Sequence, residues 1–243
     1  MMYLYEMAPD FINIVLEELQ DAQLLITTNP YFYPLIKNYI KKPFIYDSQN
    51  VEYLLKKDML QDSNYNHQLL ECVFNNEKEC IKNAYLVNVC STDDAVNFRN
   101  LYNLHIDYFF VPNGFDKERV NYYSKNRKTL YKQRHGYNQE QKIAIFIGSY
   151  HKPNIDSVYE IFKIANKTPN ILYWILGGVG LVLDISYKPD NVIILGYVND
   201  EQKDLYLALS DVALNPMLSG SGTNLKMLDY LASGIPTDRK SVV

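Results

Sequence analysis

The chain has 243 residues, 47% hydrophobic and 21% charged, with a net charge of −4. That length allows one large or two small domains with a real core, and the composition is that of a soluble globular protein. The acidic balance argues against a general nucleic-acid binder, and the most apolar run, Ile171 to Ile185, is shorter than a membrane span and broken by three glycines. The three cysteines, Cys72, Cys80 and Cys90, have no metal-site spacing and read as buried free thiols of a reducing compartment. No basic region followed by an apolar core opens the chain, so no signal peptide is expected.

In chain order, Asp10 to Asp21 carries Phe11, Val15, Leu16 and Leu19 at helical spacing. Leu24 to Thr28 reads as a buried strand, Tyr31 to Ile40 as a helix and Phe44 to Asp47 as a strand. This alternation predicts a parallel sheet with helices on its faces. DSQNVEYLL at 47–55 is a strand end entering a helix, with Glu52 in the first turn, where an acid is favoured. Residues 65–84 form a long helix with Leu70, Phe74, Ile81 and Ala84 on its apolar stripe. Tyr85 to Val89 is a strand, Thr92 or Asp93 caps a helix through Leu101, and Tyr108 to Val111 is a strand closed by Pro112-Asn113-Gly114.

Residues 117–142 change character, with Arg119, Lys125, Arg127, Lys128, Lys132 and Arg134 interleaved with tyrosines. A solvated linker containing a helix is favoured over a membrane or acceptor patch, because charge runs are usually exposed faces. A second α/β stretch follows. Ile143 to Gly148 is a strand, Asn154 caps a helix bearing Val158, Ile161, Phe162 and Ala165, Ile171 to Leu176 and Val192 to Leu195 are strands, and Asp200 to Leu209 is a helix. Gly178-Val179-Gly180 invites a dinucleotide reading that fails at Leu183, where a third small residue belongs.

The stretch Ser210 to Pro236 closes this half. Val212 to Asn215 is a fourth strand, Leu218 to Thr223 a loop centred on GSGT, and Asn224 to Ser233 a helix with Leu225, Leu228, Leu231 and Ala232 on one face. Gly234 and Pro236 stop it. A glycine loop entering a helix N-terminus is an anion site in kind. The first helical N–H groups lack partners, the positive dipole end lies there, and glycine lets a phosphate approach. Lys226 and Asp229, one turn apart, share a face, one suited to a phosphate and the other to a ribose diol. Four strands alternating with helices make a Rossmann-like half, and ligands bind at the carboxyl ends of such strands.

FIGSYHKPN at 146–154, LGYV at 195–198 and NPMLSGSGTNLKMLDYLASGIP at 215–236 resemble the donor-binding domain of the retaining GT-B glycosyltransferases of family 4, also called glycosyl transferases group 1. YDSQNVEYL at 46–54 and VPNGFD at 111–116 resemble the later part of that family's N-terminal domain. The resemblance implies an α/β fold of two Rossmann-like domains with parallel sheets, both incomplete. Residues 1–117 would be a partial acceptor-side domain, 118–141 a basic linker and 142–236 a partial nucleotide-sugar-binding domain. Residues 237–243 are set apart as a non-native tail, since Asp-Arg-Lys-Ser-Val-Val matches one frame of a common sequencing adapter.

The resemblance further implies metal-independent transfer of a sugar from a nucleotide-diphosphate sugar to a saccharide or lipid-linked acceptor, with retention. No cofactor, metal or nucleic acid is expected. The expected place is the cytoplasm, with peripheral contact at the inner face of a membrane. Gly220, Ser221, Gly222, Thr223 and Asn224 would hold the diphosphate with Lys226, Asp229 the ribose, and Gly148, Ser149, His151 and Lys152 would face the phosphates. Tyr197 and Val198 would approach the base. Fixed N–H dipoles and a lysine can stabilise a diphosphate leaving group without a metal. The sequence departs from the family at Ser221, where an acid contacting the sugar is common, at Gln49, where a histidine is common, and in lacking an arginine in the 148–152 loop. Ser221 keeps open a non-catalytic nucleotide-sugar binder, and a GT-B sugar-nucleotide epimerase is a further alternative.

Overall fold

The structure is a computed structural model describing residues 7–118, 121–217 and 224–239. It resolves into two compact units, one reaching to Asn113 and the other starting at Gly114. In the first, helix α1 (Pro9–Glu18) leads to strand β1 (Leu25–Thr27), a 3-10 turn (Pro30–Phe32), helix α2 (Tyr33–Tyr39) and strand β2 (Phe44–Ser48). Helices α3 (Glu52–Met59) and α4 (Asn64–Asn83), strand β3 (Leu86–Val89), helix α5 (Thr92–Tyr102) and strand β4 (Tyr108–Phe110) complete it. The strands pair in the order β1-β2-β3-β4, all parallel. Alternate residues of β2 and β3, Phe44, Tyr46, Val87 and Val89, enter one core with Ile36, Ile81 and Phe98 from the helices.

Helix ends in this unit are closed by side chains. Lys42 Nζ donates to the carbonyls of Leu19, Gln20 and Ala22 just beyond α1, where a cation meets the negative dipole end. α5 is capped by Ser91, whose Oγ accepts from the Asp94 N–H at 3.0 Å, rather than by Thr92 or Asp93. The cap lies one residue earlier because Ser91 holds the extended conformation that a cap requires, while Thr92 and Asp93 are already helical.

The centre of the unit is polar. Glu77 is fully buried on α4. Its carboxylate accepts from the backbone N–H of Glu52 (2.9 Å) and Tyr53 (3.0 Å), and from the hydroxyls of Tyr46 (3.0 Å) and Tyr102 (2.6 Å). It thus fills the anion site at the N-terminus of α3, where Val51 offers no capping side chain. Burial lifts its pKa above the ordinary carboxylate value, against the lowering effect of the four donors. Burial first, and then the charge of Glu77, holds the hydroxyls of Tyr46 and Tyr102 above their usual range.

The second unit contains helix α6 (Lys125–Arg134), strand β5 (Lys142–Ile147), helix α7 (Lys152–Lys167), strands β6 (Ile171–Leu176) and β7 (Val192–Gly196), helix α8 (Asp200–Leu209), strand β8 (Val212–Asn215), helix α9 (Leu225–Ala232) and strand β9 (Thr237–Arg239). All pairs are parallel, in the order β7-β6-β5-β8-β9. Both faces of the sheet are covered, as an all-parallel sheet requires. Ala144 and Phe146 of β5 meet Val158, Ile161 and Phe162 of α7 on one face. Ile143 and Ile145 meet Leu207, Leu209 and Tyr230 of α8 and α9, with Tyr131 of α6, on the other.

Three expectations change here. The basic stretch is not uniformly solvated, because Lys128 and Lys132 of α6 are buried, bonding Ser210 O at 2.9 Å and Asp211 Oδ2 at 2.6 Å. On α9 the leucine spacing does not mark the packed face. Leu225 and Leu231 are 57% and 63% exposed, while Tyr230 is fully buried and donates nothing to solvent, its hydroxyl accepting from the Ile147 N–H at 2.8 Å. Finally, a fifth strand joins the four, with Ala213, Leu214 and Asn215 of β8 pairing with Thr237, Asp238 and Arg239. Ladder hydrogen bonds use main-chain groups alone, so the segment set apart as a tail can extend the sheet whatever its side chains.

Candidate functional site

The strand order of the second unit locates a crevice. From β5 the chain steps to β6 and β7 on one side, while β8 and β9 lie on the other. Connections leaving in opposite directions part at the carboxyl ends of β5 and β8, the switch point where open parallel sheets bind ligands. Gly148 to His151 follows β5 and leads into α7; Pro216 and Met217 follow β8.

One buried amide ties this edge together. Asn154, in the first turn of α7, donates through Nδ2 to Ser149 O (3.0 Å) and Ser149 Oγ (3.2 Å). Its Oδ1 accepts from Lys226 Nζ of α9 at 2.7 Å. Asn154 is not the cap of α7. That position belongs to His151, whose backbone is extended and whose side chain makes no capping bond, because Asn154 is already inside the helix. Lys226 Nζ also stands 4.3 Å from the centre of the Phe146 ring and 3.9 Å from Met217 Sδ. Burial lowers its pKa to about 8, with no carboxylate contributing to raise it. It is an ammonium held by an amide and a ring face at the switch point, suited to receive an anion.

The glycines there are required by close approach. A Cβ on Gly148 would stand 2.8 Å from Phe146 Cε1 and 3.2 Å from Asn154 Cβ. Gly177, at φ +93°, lies against the Gly148 carbonyl and donates its N–H to Gly196 O at 2.6 Å. The ends of β5, β6 and β7 are thus laced by main chain. Gly178 lies against the Tyr197 hydroxyl, and Tyr197 itself is 74% exposed beyond β7, with Val198 part-buried behind it.

Asp229 is directed elsewhere than Lys226. Its Oδ2 pairs with Lys203 Nζ of α8 at 3.2 Å, each side chain 25% exposed. The helical spacing that suggested a shared face does not give the two a shared partner. His151 and Lys152 are exposed, and Lys152 pairs with Asp156 at 3.1 Å. Asn224 occupies the N-cap position of α9 without a capping bond. Gly220, Ser221, Gly222 and Thr223 lie outside the described residues.

The sequence offers Asn154 only as a helix cap, and gives Lys203 and Asn215 no role. Asn215 is fully buried at the end of β8, and neither side-chain atom has a hydrogen-bond partner among the described residues. A polar residue closing the apolar run Val-Ala-Leu, directly before a proline, is the signal in the sequence that could have found it. Among the described residues, no cluster of three or more potential metal ligands occurs, and no helix is long and apolar enough to cross a membrane.

The first unit has a polar carboxyl edge of its own. Asp47 accepts from Asn88 Nδ2 at 2.9 Å and from Gln49 Nε2 at 3.1 Å, at the ends of β2 and β3. Cys90 sits against Ser48 O, and burial pushes its thiol up, so it is a packed rather than a reactive group.

Residues 141–237 match the family described as glycosyl transferases group 1. Over those residues the second unit is similar to a glycosyl transferases group 1 domain. The fold agrees over nearly the whole chain. Sucrose-phosphate synthase from Thermosynechococcus elongatus superposes with a TM-score of 0.73 at 16% identity, over 96% of this chain and 60% of that one. HepE of Anabaena, in complex with UDP and glucose, gives 0.69 at 15% identity over 96% and 63%. TarM gives 0.64 at 16% identity over 93% and 43%. Two Rossmann-like units with parallel sheets, the GT-B type of fold, are what these likenesses establish. The chain spans about 60% of the length of the first structures it matches. No curated protein sequence matches it.

Proposed function

We propose that the second unit binds the diphosphate of a nucleotide sugar at the switch point, and that the whole protein transfers the sugar, with retention, to a saccharide or lipid-linked acceptor. The observation that carries the proposal is the Ser149–Asn154–Lys226 linkage, which holds at the carboxyl edge an ammonium with no acid partner among the described residues. The family match over 141–237 supports the reaction class, and the UDP and UDP-glucose complexes of HepE, a protein of the same fold, support the donor class.

In this reading the α7 and α9 N-termini and Lys226 face the charge that develops on the departing diphosphate. Fixed dipoles and a lysine do this without reorganisation and without a metal. Asp229, steadied by Lys203, takes the ribose hydroxyls, and Tyr197 with Val198 lies beside the base. The proposed setting is the cytoplasm, with peripheral contact at a membrane. Incubating the whole protein with a nucleotide sugar and an acceptor, with and without EDTA, tests the reading. Product of unchanged anomeric configuration in both samples is expected, and an inverted product or dependence on a metal overturns that part. Ser221 favours a second reading, a binder of the same donors that does not transfer; it predicts donor binding with no product under any acceptor.

A further inference from the structure

The amino edge of the second sheet, at the other end of the strands that form the switch point, holds a cavity of about 480 Å³. Its lining includes Lys125, Lys128 and Lys132 of α6, Lys142 at the start of β5, and the tyrosines 122 and 123. The three lysines of α6 recur at helical spacing, so one face of that helix is a cationic wall. Two acids share the lining, Glu140 and Asp211. Asp211 is committed, because its Oδ2 accepts from Lys132 Nζ at 2.6 Å and from the Ile143 N–H at 2.8 Å.

Lys128 is the unusual member. It is 9% exposed, and among the described residues its ammonium donates to one neutral acceptor, Ser210 O at 2.9 Å. An ammonium carries three donors, so two remain for whatever occupies the cavity. Desolvation lowers its pKa to about 8 although Asp211 opposes the shift, and Lys132 adds to the lowering. A strut between helix and strand would have been served by an apolar side chain or a paired lysine. A buried lysine beside further lysines is stabilised by an anion.

The excess of four lysines over two acids matches a dianion, and lysines act as point-charge binders of phosphate. The Tyr122 ring lies over Gly234, at φ +67°, where a Cβ would strike it, so that wall is a flat aromatic surface. We propose that this cavity binds a phosphoryl group, inorganic or carried on a small phosphorylated molecule, at Lys128 with Lys125 and Lys142. It would be a second anion site of the domain, separate from the one at the carboxyl edge.

The test uses the full chain with lysine side chains labelled for NMR, titrated with inorganic phosphate and with a hexose monophosphate. Chloride at matched ionic strength is the control. Phosphate is expected to saturate and to move the Lys128 titration upward from about 8 by a unit or more. Lys128→Met should weaken phosphate binding about tenfold or more, as loss of a buried charge-assisted contact does. The exposed pair Lys125→Ala and Lys142→Ala should weaken it several-fold, and serves if Lys128→Met fails to fold. Lys226→Met should leave the response of Lys128 to phosphate unchanged, which keeps this site distinct from the donor site. A hexose monophosphate binding tighter than phosphate identifies a phosphorylated ligand, and equal affinities identify the phosphoryl group alone. Undiminished binding in the lysine variants, loss in Lys226→Met alone, or an equal response to chloride overturns the proposal.

Discussion

Lys226 makes the donor-site account sensitive to pH in a calculable way. In the free chain its pKa is about 8 because it is buried beside Phe146 and Asn154 without an acid. A diphosphate prefers the charged amine, so binding above that pH must be accompanied by proton uptake. The dissociation constant then rises about tenfold per pH unit above 8. The rise levels off when the pH passes the amine's pKa in the complex. A charge-assisted contact contributes ~1.5–3 kcal/mol, or about one to two pKa units, so the plateau lies roughly 10- to 100-fold above the neutral-pH value. Calorimetric titration of a nucleoside diphosphate between about pH 7 and 10 in buffers of different ionisation enthalpy reads both the affinity and the protons taken up. In Lys226→Met the affinity at neutral pH should fall to near that plateau and the pH dependence should vanish. An affinity flat across this range in the native chain, or an identical profile in Lys226→Met, would refute the reasoning. Stability has the opposite sense. Between about 8 and 10.5 the unfolded chain holds more protons at this site than the native one, so the stability contribution rises with pH through that window.

Glu77→Ala should destabilise the first unit by about 3–5 kcal/mol in urea unfolding, because two N–H groups and two tyrosine hydroxyls lose one buried acceptor; a loss below about 1 kcal/mol would contradict the network. Since Glu77 is raised above 4.5, the native chain holds more protons than the unfolded one just above that pH, so this group's contribution to stability falls as pH rises, and Glu77→Gln should remove that slope. Gly177→Ala forces a Cβ onto the Gly148 carbonyl at a positive φ and should cost about 1–3 kcal/mol while weakening nucleotide binding, both read from a thermal-shift titration. Asp229→Ala should weaken nucleoside-diphosphate binding about tenfold while changing stability by under ~1 kcal/mol, since its pair with Lys203 is part-exposed; unchanged binding counts against the ribose role.

The alternation of strand and helix was legible because parallel strands buried on both faces are short apolar runs and their helices are amphipathic. Strand order was not, because pairing β5 with β8 joins residues such as Ile145 and Ala213 that no local pattern connects. The switch point, and with it the Asn154–Lys226 contact across 72 positions, follows from that order. On α9 the leucines keep the helical period, yet Tyr230 takes the core because its hydroxyl has a backbone partner in Ile147. Glu77 is legible by its place: it lies between Phe74 and Ile81 at the spacing of the apolar stripe, the position of a buried acid. In α6 the lysines looked like solvated charge because nothing local shows that Asp211 and Ser210 stand opposite them.

The most direct test of the central claim is a map of where a nucleotide sugar binds. UDP-glucose and other nucleotide sugars would be titrated into the protein while backbone amides are followed by NMR or hydrogen exchange. The account predicts saturable binding of at least one donor, with the largest changes at residues 148–154 and 224–229. No binding of any donor, or protection confined to residues away from the carboxyl ends of β5 and β8, would contradict it.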